Sequence, residues 1–134
     1  MLDNNNDLIS LLIVDDSAMS RRFISGLLPK DKFIITQAQS GREAITKILT
    51  NKYDIVLLDL LMNDLDGFEV LDYVQIKNID LPIIVISADI QETTKTRCLE
   101  MGAETLINKP PKQEILTESI NTALAKRKVK YNAT

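Results

Sequence analysis

The fold of this chain can be read outward from one stretch, Tyr53-Asp54-Ile55-Val56-Leu57-Leu58-Asp59-Leu60-Leu61-Met62. Within it, residues 55–58 are all apolar and run without alternation into the carboxylate of Asp59. Such a run is typical of a strand that is buried on both faces, in the middle of a parallel sheet. Open parallel sheets bind ligands outside the carboxyl ends of their strands. Asp59 is therefore well placed for chemistry, although aspartate also commonly begins a turn.

Strand and helix patterns alternate outward from this stretch along the chain. Apolar runs predict four further strands, and amphipathic spacings with capping residues predict a helix after each strand. In the first helix, Met19, Phe23 and Leu27 recur every four residues, with Ile24 and Leu28 beside them, and predict the buried face. This alternation predicts an α/β fold with a parallel sheet and helices on both faces. The predicted strands are 8–14, 33–37, 55–58, 83–86 and 105–107.

Length and composition limit the class of protein. The 134 residues, 45% hydrophobic and 26% charged, predict a single soluble domain with a core over about residues 8–127. The net charge of −3 argues against a nucleic-acid-binding surface. Cys98 is the only cysteine, so a reducing compartment is expected and we interpret this residue as core filler. Without a membrane-spanning apolar run or a signal-peptide pattern at the N-terminus, we expect a cytoplasmic protein without membrane insertion.

The chain contains no histidine. This absence excludes Ser–His and Cys–His nucleophile pairs and His-ligated zinc sites. Any chemistry must therefore use carboxylates, lysine, hydroxyl groups or a hard metal ion.

Side chains that can perform such chemistry follow four of the predicted strands. Asp15 and Asp16 follow the first strand, Asp59 the third, Ser87 the fourth and Lys109 the fifth. If these strands are neighbours, their side chains converge on one edge of the sheet. Three clustered carboxylates repel one another unless a cation lies among them, and oxygen ligands favour Mg²⁺, with Mn²⁺ as a substitute. A carboxylate beside Mg²⁺, a lysine and a hydroxyl is the arrangement that phosphoryl transfer requires.

Each of these residues also has a simpler explanation when it is taken alone. Asp16 can cap the first helix, Ser87 can open a turn, and Lys109 can be an exposed loop lysine. The hypothesis of a site therefore depends on the coincidence of four strand ends, which independent surface residues would seldom produce.

Short motifs at these strand ends resemble those of response-regulator receiver domains of two-component signalling. The resemblance covers about residues 8–127, and residues 17–21 are similar to the stand-alone, chemotaxis-type members. It implies a flavodoxin-like fold, a five-stranded parallel sheet of order 2-1-3-4-5. The motifs are Val14-Asp15-Asp16-Ser17, Leu57-Leu58-Asp59-Leu60, Asp66-Gly67, Ile86-Ser87-Ala88 and Lys109-Pro110.

The resemblance further implies a role for each site residue. Asp59 would accept a phosphoryl group from the phosphohistidine of a partner histidine kinase or phosphotransfer protein. The three aspartates would bind Mg²⁺ together with the backbone carbonyl of Leu61. Ser87 would hydrogen-bond the phosphoryl group, and Lys109 would pair with it.

Three positions depart from the pattern of the family. Asn63 stands where many relatives have proline, and Leu106 stands where many have an aromatic switch residue. Leu61 is apolar where many relatives carry a polar residue that faces the attacking water. We therefore expect a changed rate of self-dephosphorylation and a switch that does not use the usual hydroxyl and aromatic pair.

The resemblance favours a stand-alone regulator that signals by protein contact, with a motility component or a phosphatase as a partner. A phosphate sink, a relay receiver, a receiver fragment of a larger protein and a receiver that acts without phosphorylation are the alternatives. A haloacid dehalogenase-type phosphatase would need an aspartate at Leu61, and a flavodoxin would need more aromatic residues than the 4% present. We expect no enzyme activity beyond self-catalysed phosphoryl acceptance and loss.

Overall fold

Five parallel strands form one sheet, and its central strand is the apolar run that precedes Asp59. A computed structural model describes residues 8–132, with side-chain surroundings over residues 8–127; the N-terminal residues used for the signal-peptide prediction lie outside this range. The strand order is β2-β1-β3-β4-β5, so the predicted α/β, flavodoxin-like architecture is confirmed. The strands are β1 (Ile9–Val14), β2 (Phe33–Ala38), β3 (Ile55–Leu58), β4 (Ile83–Ser87) and β5 (Thr105–Asn108).

One helix follows each strand, and side-chain caps fix where three of the helices begin. The hydroxyl oxygens of Ser17 and Ser40 and the carboxylate of Asp66 each accept a hydrogen bond from the amide three residues ahead. Among the described residues, no helix has the length and apolar character that a membrane crossing requires. The helices are α1 (Ala18–Gly26), α2 (Gly41–Thr50), α3 (Gly67–Ile76), α4 (Glu92–Glu100) and α5 (Gln113–Asn132).

The lack of alternation in β3 has a direct structural cause. Ile55 and Leu57 pack into the cluster that α1 and α5 cover, whereas Val56 and Leu58 pack into the cluster beneath α2, α3 and α4. All four side chains are at most 1% exposed. Burying each one stabilises the fold by about 1.5–3 kcal/mol, so a polar residue on either face would be costly. Cys98 is fully buried in the second cluster, as predicted.

The buried face predicted for α1 was partly wrong. Met19 is 78% exposed and Phe23 is 49% exposed, whereas Ile24 and Leu28 are buried. The helix carries two adjacent apolar stripes, which lie about 100° apart because successive helical residues are rotated by that angle. The sheet covers the stripe of Ile24 and Leu28, and Leu27 packs only at its margin.

Candidate functional site

The carboxyl ends of β1, β3, β4 and β5 meet at one edge of the sheet, and the predicted site residues lie there. One carboxylate oxygen from each of Asp15, Asp16 and Asp59 lies within 4.8 Å of the other two. Lys109 Nζ lies 2.7 Å from Asp15 Oδ2 and 3.6 Å from Asp59 Oδ2. Ser87 ends β4, and its carbonyl accepts the Lys109 amide at 2.9 Å. The fold thus brings these five residues to one edge.

Asp15 is buried and held by donors on both of its carboxylate oxygens. Oδ1 accepts the Ser17 amide at 2.9 Å, and Oδ2 accepts the Ser20 hydroxyl at 2.6 Å and the Lys109 ammonium at 2.7 Å. Arg21 donates to the Asp15 carbonyl and, at 2.8 Å, to the side chain of Gln37. Sequence reasoning missed Ser20 and Arg21, and only their position in the first turn after the acidic pair could have suggested them.

Asp59 is 6% exposed and is tied to β1 by its amide, which donates to the Val14 carbonyl at 2.9 Å. Burial raises the pKa of the Asp59 carboxyl, and the charge of Asp15 raises it further. The charge of Lys109 and a hydrogen bond from the Leu61 amide oppose this shift without cancelling it. A cation at this edge would therefore stabilise the charged form of Asp59.

Lys109 is the positive charge of the site, and its environment keeps it protonated. Burial alone would lower the pKa of its ammonium. The hydrogen bond to Asp15 and the charges of Asp59 and Asp15 outweigh burial and raise that pKa. The Lys109–Pro110 peptide bond is cis.

The Ser87 hydroxyl connects the site with the start of α4. Its oxygen accepts the Asp89 amide at 3.0 Å, so the hydroxyl proton is available for donation to a further acceptor. The Asp89 carboxylate accepts the Gln91 amide at 3.0 Å and the Thr94 hydroxyl at 2.7 Å. These two hydrogen bonds lower the pKa of Asp89.

Two exposed apolar side chains lie in the loops that follow β3 and β4. Leu61 is 67% exposed and Ile90 is 53% exposed, and they line a shallow depression together with Ala88, Asp89 and Gln91. Leu106 is only partly buried and packs against the cluster beneath α2, α3 and α4. No aromatic side chain therefore occupies the position where the resemblance places a switch residue.

The donor set fits a hard divalent cation. Three formally negative carboxylates meet at this edge, and among the described residues only Lys109 forms ion pairs with them, one with Asp15 and one with Asp59. Mg²⁺ binds through carboxylates and keeps several waters, so it does not need a closed cage of protein ligands. Asp15, Asp16 and Asp59 are the residues that would hold it.

Comparisons with known proteins agree with this geometry. The family model for the response regulator receiver domain matches residues 11–121. The transcriptional regulatory protein ResD of Bacillus subtilis is 36% identical over 117 residues, which are 86% of this chain and 48% of that protein. The sensor histidine kinase RcsC of Salmonella typhimurium is 29% identical over 88% of this chain and 12% of its own length. The chain thus spans about half or less of these curated relatives.

Solved structures of similar length share the fold. The receiver domain of the Francisella response regulator 1452 superimposes with a TM-score of 0.83 at 28% identity, covering 89% of this chain and 98% of that chain. CheY in the CheX–CheY–BeF₃–Mg²⁺ complex from Borrelia burgdorferi superimposes with a TM-score of 0.82 at 28% identity, covering 90% and 93%. Because the sheet order, the acidic edge and the family match all agree, the chain belongs to the family of response regulator receiver domains.

Proposed function

We propose that the chain is a phosphorylation-controlled switch that accepts a phosphoryl group on Asp59. The chain has no histidine of its own, so the donor is another protein or a small molecule. The family match favours a partner histidine kinase or phosphotransfer protein. The observation that carries this proposal is the convergence of Asp59, two further aspartates and Lys109 at one sheet edge. Receiver relatives in transcriptional regulators and sensor kinases support it.

Each residue has a defined part in the transfer. A carboxylate oxygen of Asp59 attacks the phosphorus and the Asp59 O–P bond forms. The donor's P–N bond breaks, and the imidazole nitrogen keeps the electron pair of that bond and takes up a proton from solvent. Lys109 neutralises charge on the phosphoryl oxygens, and Ser87 donates its free hydroxyl proton to one of them. Bound Mg²⁺ supplies further neutralisation of those oxygens. The chain performs no other catalysis, and hydrolysis of the Asp59 acyl phosphate resets it.

The output is a change in protein contacts. We propose a stand-alone, cytoplasmic regulator with motility control as one output, supported by its similarity over nearly the full length of a CheY protein. A phosphate sink, a relay receiver, or a receiver inside a larger protein are the alternatives, and the partial coverage of ResD and RcsC favours the last of these. An endogenous protein of 15.1 kDa on an immunoblot would support the stand-alone form.

The proposed function is tested by intact-mass measurement after incubation with acetyl phosphate. We expect one phosphoryl group per chain in the presence of Mg²⁺ and little uptake when the metal is removed with a chelator. The adduct should be released by hydroxylamine, which cleaves acyl phosphates and spares phosphoserine. An adduct that forms equally well without Mg²⁺, or that resists hydroxylamine, would contradict a Mg²⁺-dependent acyl phosphate on Asp59.

Leu61→Asn is expected to shorten the lifetime of the Asp59 acyl phosphate by about two- to tenfold. The exposed leucine offers no hydrogen bond beside Asp59, whereas an asparagine amide can orient the attacking water. One hydrogen bond of about 0.5–1.5 kcal/mol corresponds to this range of rates. Loss of phosphorylated mass with time gives the rate, and Leu49→Asn, at a 59% exposed leucine on α2, is the control. Equal lifetimes in the Leu61 variant and the wild type would show that Leu61 does not control access of water.

A further inference from the structure

The loop between β3 and α3 is fastened at its middle to the N-terminus of a different helix. Asp64 Oδ1 accepts the amide of Gly41 at 3.1 Å, and Asp64 Oδ2 accepts the amide of Arg42 at 3.2 Å. Together with the Leu65 amide, these hydrogen bonds outweigh slight burial and lower the pKa of Asp64. Asp64 is therefore charged at neutral pH, and each of its carboxylate oxygens accepts a hydrogen bond from one of the first two residues of α2.

The start of α2 already has its own caps, so Asp64 is not needed to begin this helix. Ser40 Oγ accepts the Glu43 amide at 3.1 Å, and the Glu43 carboxylate accepts the Gln39 amide at 2.8 Å. This pair resembles a capping box, except that Glu43 accepts the amide of Gln39, one residue before the N-cap Ser40. Asp64 accepts the two amides that lie between Ser40 and Glu43, those of Gly41 and Arg42. It differs from the other caps because it lies in the loop that follows Asp59.

Close packing supports the same connection. A Cβ at Gly41 would overlap the carbonyl oxygen of Leu65 and would lie 2.7 Å from the Leu65 Cβ. Only a glycine therefore lets the β3–α3 loop lie directly against the first turn of α2. The two hydrogen bonds to Asp64 and the close contact at Gly41 are separate observations. Both hold the β3–α3 loop against the first turn of α2.

The other part of this loop touches the phosphoryl acceptor. The Leu61 backbone lies close enough to the Asp59 carboxylate to lower its pKa, and the Gly67 amide donates to the Leu60 carbonyl at 2.9 Å, which closes the loop. Asn63 leaves the loop backbone without the φ restriction that a proline would impose. Asp64, three residues after Leu61, thus connects this loop to the helix α2.

We propose that Asp64 is a positioning residue for the acceptor site: by fastening the β3–α3 loop to α2, it holds the Leu61 backbone against Asp59. Its effect on the acyl phosphate rests on the proposed function, whereas its effect on the loop does not. The role is positional because Asp64 contacts α2 and not the carboxylate cluster.

The test compares Asp64→Ala with Ser40→Ala, a matched variant that removes a different cap from the same helix. Both are expected to lower Tm by a similar amount, about 3–6 °C, because each removes one capping side chain. Hydrogen exchange of the metal-free proteins should separate them. We expect amides of residues 60–66 to exchange about tenfold faster in Asp64→Ala than in the wild type, and we expect Ser40→Ala to leave them unchanged.

Calorimetric titration with Mg²⁺ provides a second readout that a simple helix cap would not move. We expect the Kd for Mg²⁺ to rise by about three- to tenfold in Asp64→Ala, since supporting residues behind metal ligands have effects of this order or larger. Ser40→Ala should stay within about twofold of the wild type, and Asp64→Asn should recover part of the affinity because one acceptor oxygen is kept.

The possible outcomes separate the proposal from the proposed function. Equal loop exchange and equal Mg²⁺ affinity in Asp64→Ala and Ser40→Ala would overturn the positioning role and leave Asp64 as a cap. Faster loop exchange in Asp64→Ala but not in Ser40→Ala would support the positioning role even if the wild-type protein took up no phosphoryl group. The missing uptake would then reject only the proposed function.

Discussion

Asp59→Asn is expected to abolish phosphoryl uptake from acetyl phosphate completely, within the detection limit of intact-mass measurement. The amide oxygen of asparagine is a far weaker nucleophile than a carboxylate oxygen. The other two carboxylates are placed differently, because both oxygens of Asp15 accept hydrogen bonds and Asp16 is exposed. Asparagine has nearly the volume of aspartate, so the surrounding packing is preserved. The loss should therefore be one of chemistry and not of folding.

Urea unfolding of the same variant distinguishes these two explanations. Because the pKa of Asp59 is raised, its stabilising contribution is present at low pH and is lost as the pH rises through that pKa. At neutral pH without metal, the charged Asp59 is destabilising, so Asp59→Asn should raise the free energy of unfolding. Lys109 keeps its closer partner Asp15 in this variant.

The control for Asp59→Asn is Asp72→Asn, which changes an exposed carboxylate on α3. This variant should take up one phosphoryl group at the wild-type rate. Undiminished uptake by Asp59→Asn, with the variant folded, would contradict Asp59 as the acceptor and would direct the search to Asp15 and Asp16.

Lys109→Met is expected to lower the free energy of unfolding of the metal-free protein by about 2–4 kcal/mol. Among the described residues, Lys109 is the only cation within 4.0 Å of the side-chain carboxylates of Asp15 and Asp59. Its removal leaves two buried carboxylates uncompensated, and breaking a buried pair in this way costs about 3–5 kcal/mol. We expect slightly less because the lysine side chain is 23% exposed. Methionine retains an apolar stem of similar length, so the effect isolates the charge.

Mg²⁺ should restore much of this lost stability, because a divalent cation neutralises the same carboxylates. Urea unfolding with and without Mg²⁺ measures the restoration, and phosphoryl uptake by Lys109→Met should also fall. Lys112→Met removes an exposed lysine three residues later and should change stability by less than about 0.5 kcal/mol. If Lys109→Met were as stable as Lys112→Met without metal, Lys109 would not be the counter-ion of the site.

Most of the fold could be predicted from local pattern. The unalternating residues 55–58 predicted a strand buried on both faces, and β3 is that strand. Capping residues predicted helix starts, and in the structure Ser40 and Asp66 cap α2 and α3. These predictions succeeded because capping and strand burial depend on neighbours a few residues away. For Met19 and Phe23 the same reasoning failed, because the choice between two apolar stripes depends on where the sheet lies.

What the sequence by itself determined is the set of chemical groups and the strand ends that carry them. Apolar runs end at Asp15, Asp59 and Lys109, and β-α alternation requires a parallel sheet that gathers such ends on one edge. Only the tertiary structure decided which atoms meet there. The hydrogen bond from Lys109 to Asp15 joins residues that are 94 apart in the sequence. The hydrogen bonds from Gly41 and Arg42 to Asp64 join residues that are 23 and 22 apart. No local periodicity encodes such pairs, because each depends on the position and orientation of two backbone segments that only the folded sheet and helices fix.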